Sequence, residues 1–119
     1  MNTPSQVTES VVRNHLQAFL EHKGLDAILA DYADDASFLS DSRTYRGKTE
    51  IREFFEDFVA ALPAQAVQQF SLHSLRCEDN VAHIIWSAGS ELPLGTDTFV
   101  VHDGKISFQT CALYVPPVV

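Results

Sequence analysis

A change of hydrophobic period within residues 25–40 constrains the fold more than any other feature of the sequence. At first, apolar side chains recur at the three- and four-residue spacing of one helical face: Leu25, Ile28, Leu29 and Tyr32. After residues 33–35 the period changes, and residues 36–40 alternate between two faces as they do in a strand. The stretch therefore predicts a short helix that ends in Tyr-Ala-Asp-Asp and leads directly into a strand.

The same helical spacing predicts one helix before this stretch and one after it. Thr8 is a suitable N-cap for the earlier helix, with residues 1–7 as a loose lead-in, and residues 22–24 end it with a base followed by a glycine. Residues 47–50 can begin the later helix, which Pro63 stops. Its apolar face is Ile51, Phe54, Phe55, Phe58, Val59 and Leu62.

From residue 65 onward the pattern predicts four strands, at residues 65–78, 81–90, 96–102 and 105–115. Residues 41–47 are expected to be a loop or a short extended excursion. Asp103-Gly104 is typical of a tight hairpin turn, and Asp97 shares a strand face with Phe99. Because the helices are segregated from successive antiparallel strands, we expect one α+β domain over residues 1–119.

Composition excludes several classes of partner. The chain has 119 residues and a net charge of -8, which repels phosphate backbones, so neither nucleic acid nor a membrane is an expected partner. The N-terminus has no signal-peptide pattern and no apolar run could span a bilayer, which favours a cytoplasmic protein. Cys77 and Cys111 have neither CxxC nor zinc spacing, so we expect buried free thiols, no metal site and no cofactor.

Several segments together resemble the nuclear transport factor 2-like superfamily, whose best-known enzymes are the ketosteroid isomerases. The segments are LDAI, YADDAS, GKTEIREFF and TDTFVVHDGKI, at residues 25–28, 32–37, 47–55 and 96–106. The resemblance implies a cone-shaped, cystatin-like fold, in which a curved antiparallel or mixed sheet wraps around N-terminal helices and leaves an apolar pocket. It also implies a homodimer that pairs through the open face of the sheet.

The resemblance further implies a set of catalytic positions. Ketosteroid isomerases use an aspartate base and an oxyanion hole made of a tyrosine and a protonated aspartate. Asp97 matches that protonated aspartate, and Tyr32 matches a tyrosine that supports the hole. His15 stands where the oxyanion tyrosine is expected, and Ser40 stands where the base is expected. A serine alone is no base near neutral pH, so either His15 or an inward-turned Asp41 would have to replace it.

Two classes of function follow from these positions. The leading one is an isomerase-like or dehydratase-like enzyme for a small hydrophobic carbonyl or polycyclic compound. His15 would be the proton shuttle or oxyanion donor, Asp97 the second donor, and Tyr32 and Ser40 orienting groups. The alternative is a non-catalytic module for small-molecule binding or dimerisation, with His15 and Tyr32 as satisfied core residues. Both the enzyme and the small-molecule-binding module would need a ligand pocket. Five side chains are expected to bind the ligand there: Phe19, Phe38, Phe55, Phe58 and Phe99.

Overall fold

The computed structural model describes residues 2–62 and 65–117 and has an α+β architecture. Its elements in chain order are α1 (Pro4–Leu20), α2 (Leu25–Leu29), β1 (Tyr32–Leu39), β2 (Thr44–Arg46), α3 (Gly47–Ala61), β3 (Phe70–Glu78), β4 (Val81–Ala88), β5 (Leu94–His102) and β6 (Lys105–Tyr114). The predicted order of elements is confirmed, with β2 as the short extended excursion. Within the described ranges, no helix has the length and apolar character needed to cross a membrane.

The strands form a curved, unclosed sheet in the order β2-β1-β6-β5-β4-β3. β1 runs parallel to β6, and the other neighbouring strands are antiparallel, so the sheet is mixed. α1 and α3 pack against its inner face. The fold class expected from the sequence is therefore confirmed. β3 starts later than predicted because residues 65–69 form turns, and the other late strands differ by one or two residues.

The first helix starts earlier than the sequence predicts. Thr3 is its N-cap: the Thr3 hydroxyl accepts the backbone N–H of Gln6, and the Gln6 side chain accepts the backbone N–H of Thr3. Pro4 suits the first helical position because no N–H is needed there. Thr8 is buried inside the helix, and its hydroxyl donates to the backbone carbonyl of Asp79 at 2.7 Å. Thr8 is thus no cap, and the predicted lead-in is helix from residue 4.

The change from helix to strand also lies earlier than predicted. α2 ends at Leu29 and β1 already begins at Tyr32, so residues 32–35 are extended. The register between β1 and β6 shifts between Tyr32 and Ser37. Tyr32 and Phe38 are an even number of residues apart, so both lie on the buried side of the strand. Tyr32 is therefore the first residue of β1, and its side chain extends from the sheet rather than from a helix.

α3 follows its prediction most closely. It begins at Gly47, whose φ of 80° is one that glycine adopts readily, and it ends at Ala61. Pro63, the predicted stop, lies outside the described residues. Ile51 and Phe55 are buried on its inner side, and Phe54, Phe58 and Leu62 pack against the core, whereas Val59 is 48% exposed.

A bulge in the last hairpin decides which residues of β6 face the core. The predicted turn at Asp103-Gly104 is present. Beyond the turn, the register of β5 and β6 shifts by one residue between Val100 and Val101. Because a one-residue shift exchanges the two faces of a strand, Gln109 turns inward and Phe108 turns outward. Gln109 is buried, whereas Phe108 is 52% exposed.

Candidate functional site

A mostly apolar cavity of about 80 Å³ lies between the helices and the inner face of the sheet. α1, α3, the turn at residues 65–69 and the inner faces of β1, β4, β5 and β6 surround it. The structure places all five predicted phenylalanines in its wall: Phe19, Phe38, Phe55, Phe58 and Phe99. The polar side chains in the wall include His15, Asp97 and Gln109.

Strand alternation brings Asp97 into this wall. Asp97 lies between Gly95 and Phe99 on the inner face of β5 and is 7% exposed. Gly95 pairs with Trp86 of β4, and a Cβ atom at position 95 would lie 2.2 Å from the indole. The missing side chain therefore makes room for the indole ring, which crosses Gly95 to reach Asp97.

Both oxygens of the Asp97 carboxyl accept hydrogen bonds. The indole N–H of Trp86 donates to Oδ1 at 2.8 Å, and Nε2 of Gln109 donates to Oδ2 at 2.8 Å. Burial raises the pKa of Asp97, whereas the bonds from Trp86 and Gln109, the Cys111 thiol and the nearby His15 lower it. Burial and the Asp97 charge also raise the pKa of the Cys111 thiol, which therefore remains protonated and unreactive.

His15 is buried on α1 and contacts polar groups through both ring nitrogens. Nδ1 lies 3.3 Å from Oδ2 of Asp31, and Nε2 lies 3.2 Å from the hydroxyl of Tyr32. The Tyr32 hydroxyl donates to Oε1 of Gln109. Burial and the charges of Asp97 and Asp31 raise the pKa of Tyr32, so its hydroxyl keeps its proton.

These contacts connect the predicted residues, although His15 and Asp97 do not touch. Tyr32 and Gln109 lie between them and join them by hydrogen bonds. We call the whole set the buried polar chain; in order of contact it is Asp31, His15, Tyr32, Gln109, Asp97 and Trp86. Within the described part of the protein, each buried side-chain nitrogen and oxygen has a hydrogen-bond partner. The hydrogen-bonding groups of the buried polar chain are therefore satisfied within the protein.

The structure corrects the predicted place of Ser40. β1 ends at Leu39, and the Ser40 hydroxyl donates to the carbonyl and accepts the N–H of Arg43, each at 3.1 Å, in the turn to β2. Asp41 is exposed in the same turn. Neither residue lines the cavity. Of the four predicted catalytic positions, His15, Tyr32 and Asp97 are brought together, and Ser40 is not.

Sequence reasoning missed three members of the buried polar chain: Asp31, Trp86 and Gln109. Trp86 carries a signal, because a tryptophan on an inner strand face needs an acceptor for its N–H. Gln109 carries none, since its direction depends on the bulge in the last hairpin. Across residues 2–62 and 65–117, no three His, Cys, Asp or Glu side chains converge in a way that could hold a metal ion.

Comparison with known proteins identifies the class. The fold is that of the nuclear transport factor 2-like proteins. More narrowly, the SnoaL-like domain family matches residues 12–109, so the chain belongs to the SnoaL-like family. No curated protein sequence matches the chain.

Solved structures show the same architecture. A nuclear transport factor 2-like protein from Mesorhizobium loti is 18% identical, covers 96% of each chain and superposes with a TM-score of 0.77. A candidate ketosteroid isomerase from Kribbella flavida is 21% identical over 98% of this chain and 87% of its own, with a TM-score of 0.73. An LEH-like epoxide hydrolase from M. tuberculosis is 15% identical over 92% and 84%, with a TM-score of 0.66. These likenesses show the fold alone, since one fold supports many functions.

We predict that ionisation of Asp97 lowers the stability of the fold. Burial raises the pKa of Asp97 above the value of 3.8 expected without burial, so its stabilising contribution is full below that value and is lost as the pH rises through the folded-state pKa. In urea denaturation from pH 4 to 8, the wild type should lose stability relative to Asp97→Asn as the pH rises. Each unit of upward shift corresponds to about 1.4 kcal/mol.

The matched control is Asp35→Asn, which makes the same change at an exposed position of β1. Its stability should run parallel to that of the wild type over the same pH range. A constant difference between the wild type and Asp97→Asn would contradict the prediction.

Proposed function

We propose that the protein binds a small, largely apolar molecule in the cavity and places one polar group of that molecule against Asp97. The main observation in support of this proposal is that a buried carboxyl lies in the wall of a cavity that is otherwise mainly apolar. Small-molecule sites commonly combine apolar walls with a few convergent polar groups. A carboxyl buried for structural reasons alone costs stability that an apolar residue would not.

The size of the cavity limits the ligand. An apolar cavity of about 150 Å³ holds benzene, and pockets for drug-sized ligands begin at about 300 Å³. The cavity of about 80 Å³ therefore encloses only part of a polycyclic molecule. A groove of about 310 Å³ adjoins it and shares Phe19, Leu62 and Val67 with its wall. We therefore favour a small compound, or a longer one whose body passes these three side chains into the groove.

Acid–base catalysis of the isomerase or lyase type is the second candidate function. Among the described residues that line the cavity, Asp97 alone carries a carboxyl, and burial raises its pKa. Both ring nitrogens of His15 already contact Asp31 and Tyr32. Asp97 is therefore the group that would exchange a proton with a ligand. His15 would act on Asp97 indirectly, through the hydrogen bonds of Tyr32 and Gln109.

Binding in the cavity predicts a selective effect of a charge in its wall. Phe58→Asp should abolish binding of a hydrophobic dye, followed by fluorescence titration, because an unpaired carboxylate is costly among apolar side chains. Phe58 packs against Phe19 and Phe54, with ring centroids 5.8 and 5.6 Å away. Phe58→Trp, which keeps the position apolar but fills the space, should weaken binding while the fold is retained.

The matched control for this test is Val7→Asp. Val7 is 36% exposed on α1 and is not among the residues that line the cavity, so this variant should bind as the wild type does. If Phe58→Asp also binds as the wild type does, the ligand occupies another place and the proposal is wrong.

We further propose that a second copy of the chain covers the outer face of the sheet. Away from the turn, where His102 and Lys105 lie, the outer surface of β5 and β6 is uncharged and consists of Leu94, Thr96, Thr98, Val100, Phe108, Thr110, Ala112 and Tyr114. Leu94, Phe108 and Tyr114 are each about half exposed, at 48%, 52% and 53%. A protein with a net charge of -8 repels its own copies except where the surface is uncharged, which favours self-pairing at this face.

Phe108→Glu should shift the protein toward monomer in light scattering after size-exclusion chromatography, because two such faces would each bury a new charge. Val59→Glu makes the same kind of change at an apolar position of α3 that is 48% exposed, and it should leave the dimer intact. A wild-type protein that is monomeric at tens of micromolar would refute this assembly.

A further inference from the structure

The hydrogen bonds in the buried polar chain fix one another's direction. The Trp86 indole can only donate, so Oδ1 of Asp97 accepts. Gln109 donates from Nε2 to Oδ2 of Asp97, which turns its Oε1 toward Tyr32. The Tyr32 hydroxyl has a single hydrogen, and Gln109 receives it. The hydroxyl oxygen of Tyr32 must therefore act as the acceptor in its contact with His15.

With the Gln109 amide in this orientation, hydrogen bonds from His15 to both neighbours place a hydrogen on each ring nitrogen. Nε2 donates to the Tyr32 oxygen at 3.2 Å, and Nδ1 faces the carboxylate of Asp31 at 3.3 Å. A neutral imidazole has one N–H, so donation to both acceptors in this arrangement uses the imidazolium form. The ring is 4% exposed, and the groups of α3 and β5 packed against it are the uncharged rings of Phe55 and Phe99. Its charge is balanced by Asp31 and by Asp97.

Turning the Gln109 amide over would reverse these bonds together. A protonated Asp97 would donate to Oε1 of Gln109, Nε2 of Gln109 would donate to Tyr32, and Tyr32 would donate to Nε2 of His15. His15 would then be neutral, with its one N–H on Asp31. The two arrangements hold the same number of protons; besides the reversed hydrogen bonds, they differ in whether His15 or Asp97 carries one of these protons.

We propose that Gln109 is a positioning residue that holds the site in the charged arrangement, with His15 as imidazolium and Asp97 as carboxylate. Each oxygen of Asp97 accepts one N–H and can accept another hydrogen bond, so the cavity offers the ligand an acceptor. This acceptor defines the ligand class: small apolar compounds that donate a hydrogen bond, such as alcohols, should bind in preference to ketones. The inference rests on the proposed binding function. The resemblance to ketosteroid isomerases implies the opposite polarity, with a protonated aspartate donating to a carbonyl.

The hydrogen-bond donors around Asp97 favour the charged arrangement, although burial is the largest effect and the pKa of Asp97 is raised overall. Burial raises the pKa of Asp97, but Trp86, Gln109, the Cys111 thiol and the charge of His15 each lower it. Hydrogen bonds to the ionised form of a carboxyl favour that form. Three of the four opposing groups are donors on the inner faces of β4 and β6.

The protonation of the His15 ring at pH 7, read from its ¹⁵N resonances, tests the role of Gln109 without any ligand. The wild type should show an imidazolium. In Gln109→Met, which keeps the side-chain length but has no amide, Tyr32 is free to donate to His15, and His15 should become neutral with hydrogen on Nδ1. Thr110→Val, on the outer face of the same strand, should leave the imidazolium unchanged.

Asp97→Asn provides a second, independent variant. Its side-chain amide can donate to Oε1 of Gln109 and reverse the chain, so His15 should again be neutral with hydrogen on Nδ1. A neutral His15 in the wild type, or an imidazolium that persists in Gln109→Met, would overturn the proposal. The second result would mean that the neighbouring charges alone hold the proton.

A matched ligand pair tests the ligand class. Cyclopentanol donates a hydrogen bond and cyclopentanone only accepts one, so NMR titration of the wild type should show roughly tenfold tighter binding of the alcohol, as expected for a hydrogen bond to a charged group. Asp97→Asn should remove this preference. Equal affinities in the wild type overturn the inferred ligand class and leave the proposed binding function standing. Absence of binding by both compounds overturns the binding function itself.

Discussion

The burial of the Asp97 carboxyl on the inner face of the sheet is the constraint on which the rest of the site depends. A buried carboxyl without partners costs several kcal/mol, and here two donors satisfy it at 2.8 Å each. Both contacts need unusual local structure. The indole of Trp86 reaches Asp97 because Gly95 has no side chain, and Gln109 faces inward because a bulge shifts the last hairpin by one residue. The cavity wall, the hairpin and the buried polar chain are therefore one connected arrangement.

Local patterns predicted the fold well where the chain's own periodicity decides the structure. Helical spacing identified α3 with Phe55 and Phe58 of the cavity wall, and strand alternation placed Asp97 and Phe99 on one strand face. Prediction failed where contacts distant in sequence decide. Tyr32 continues the helical spacing of α2, yet pairing with β6 draws it into a strand. Thr3 and Gln6 match the sequence pattern of a capping box, whereas Thr8, the predicted cap, lies within the helix.

The difference between local and long-range contacts also explains which site residues the sequence could not place. In an unbulged hairpin closed at Asp103-Gly104, Thr110 would lie opposite Asp97 and Gln109 would face outward. The observed shift places Cys111 opposite Asp97 instead. Since a single extra residue exchanges the two strand faces, alternation alone could not assign Gln109 to the cavity. Ser40 was misplaced for a local reason, because its hydroxyl satisfies backbone groups in the turn after β1.

Membership of the SnoaL-like family leaves the chemistry to the individual site, and here the site consists of an apolar cavity and one satisfied carboxyl. A crystal structure of the protein soaked with a small cyclic alcohol tests this account most directly. The account predicts the ring among the phenylalanines of the cavity, with its hydroxyl within about 3 Å of an Asp97 oxygen, a normal hydrogen-bond distance. Alcohol found only in the groove beside Val59 or on the outer sheet face, with the cavity filled by protein side chains, would contradict it.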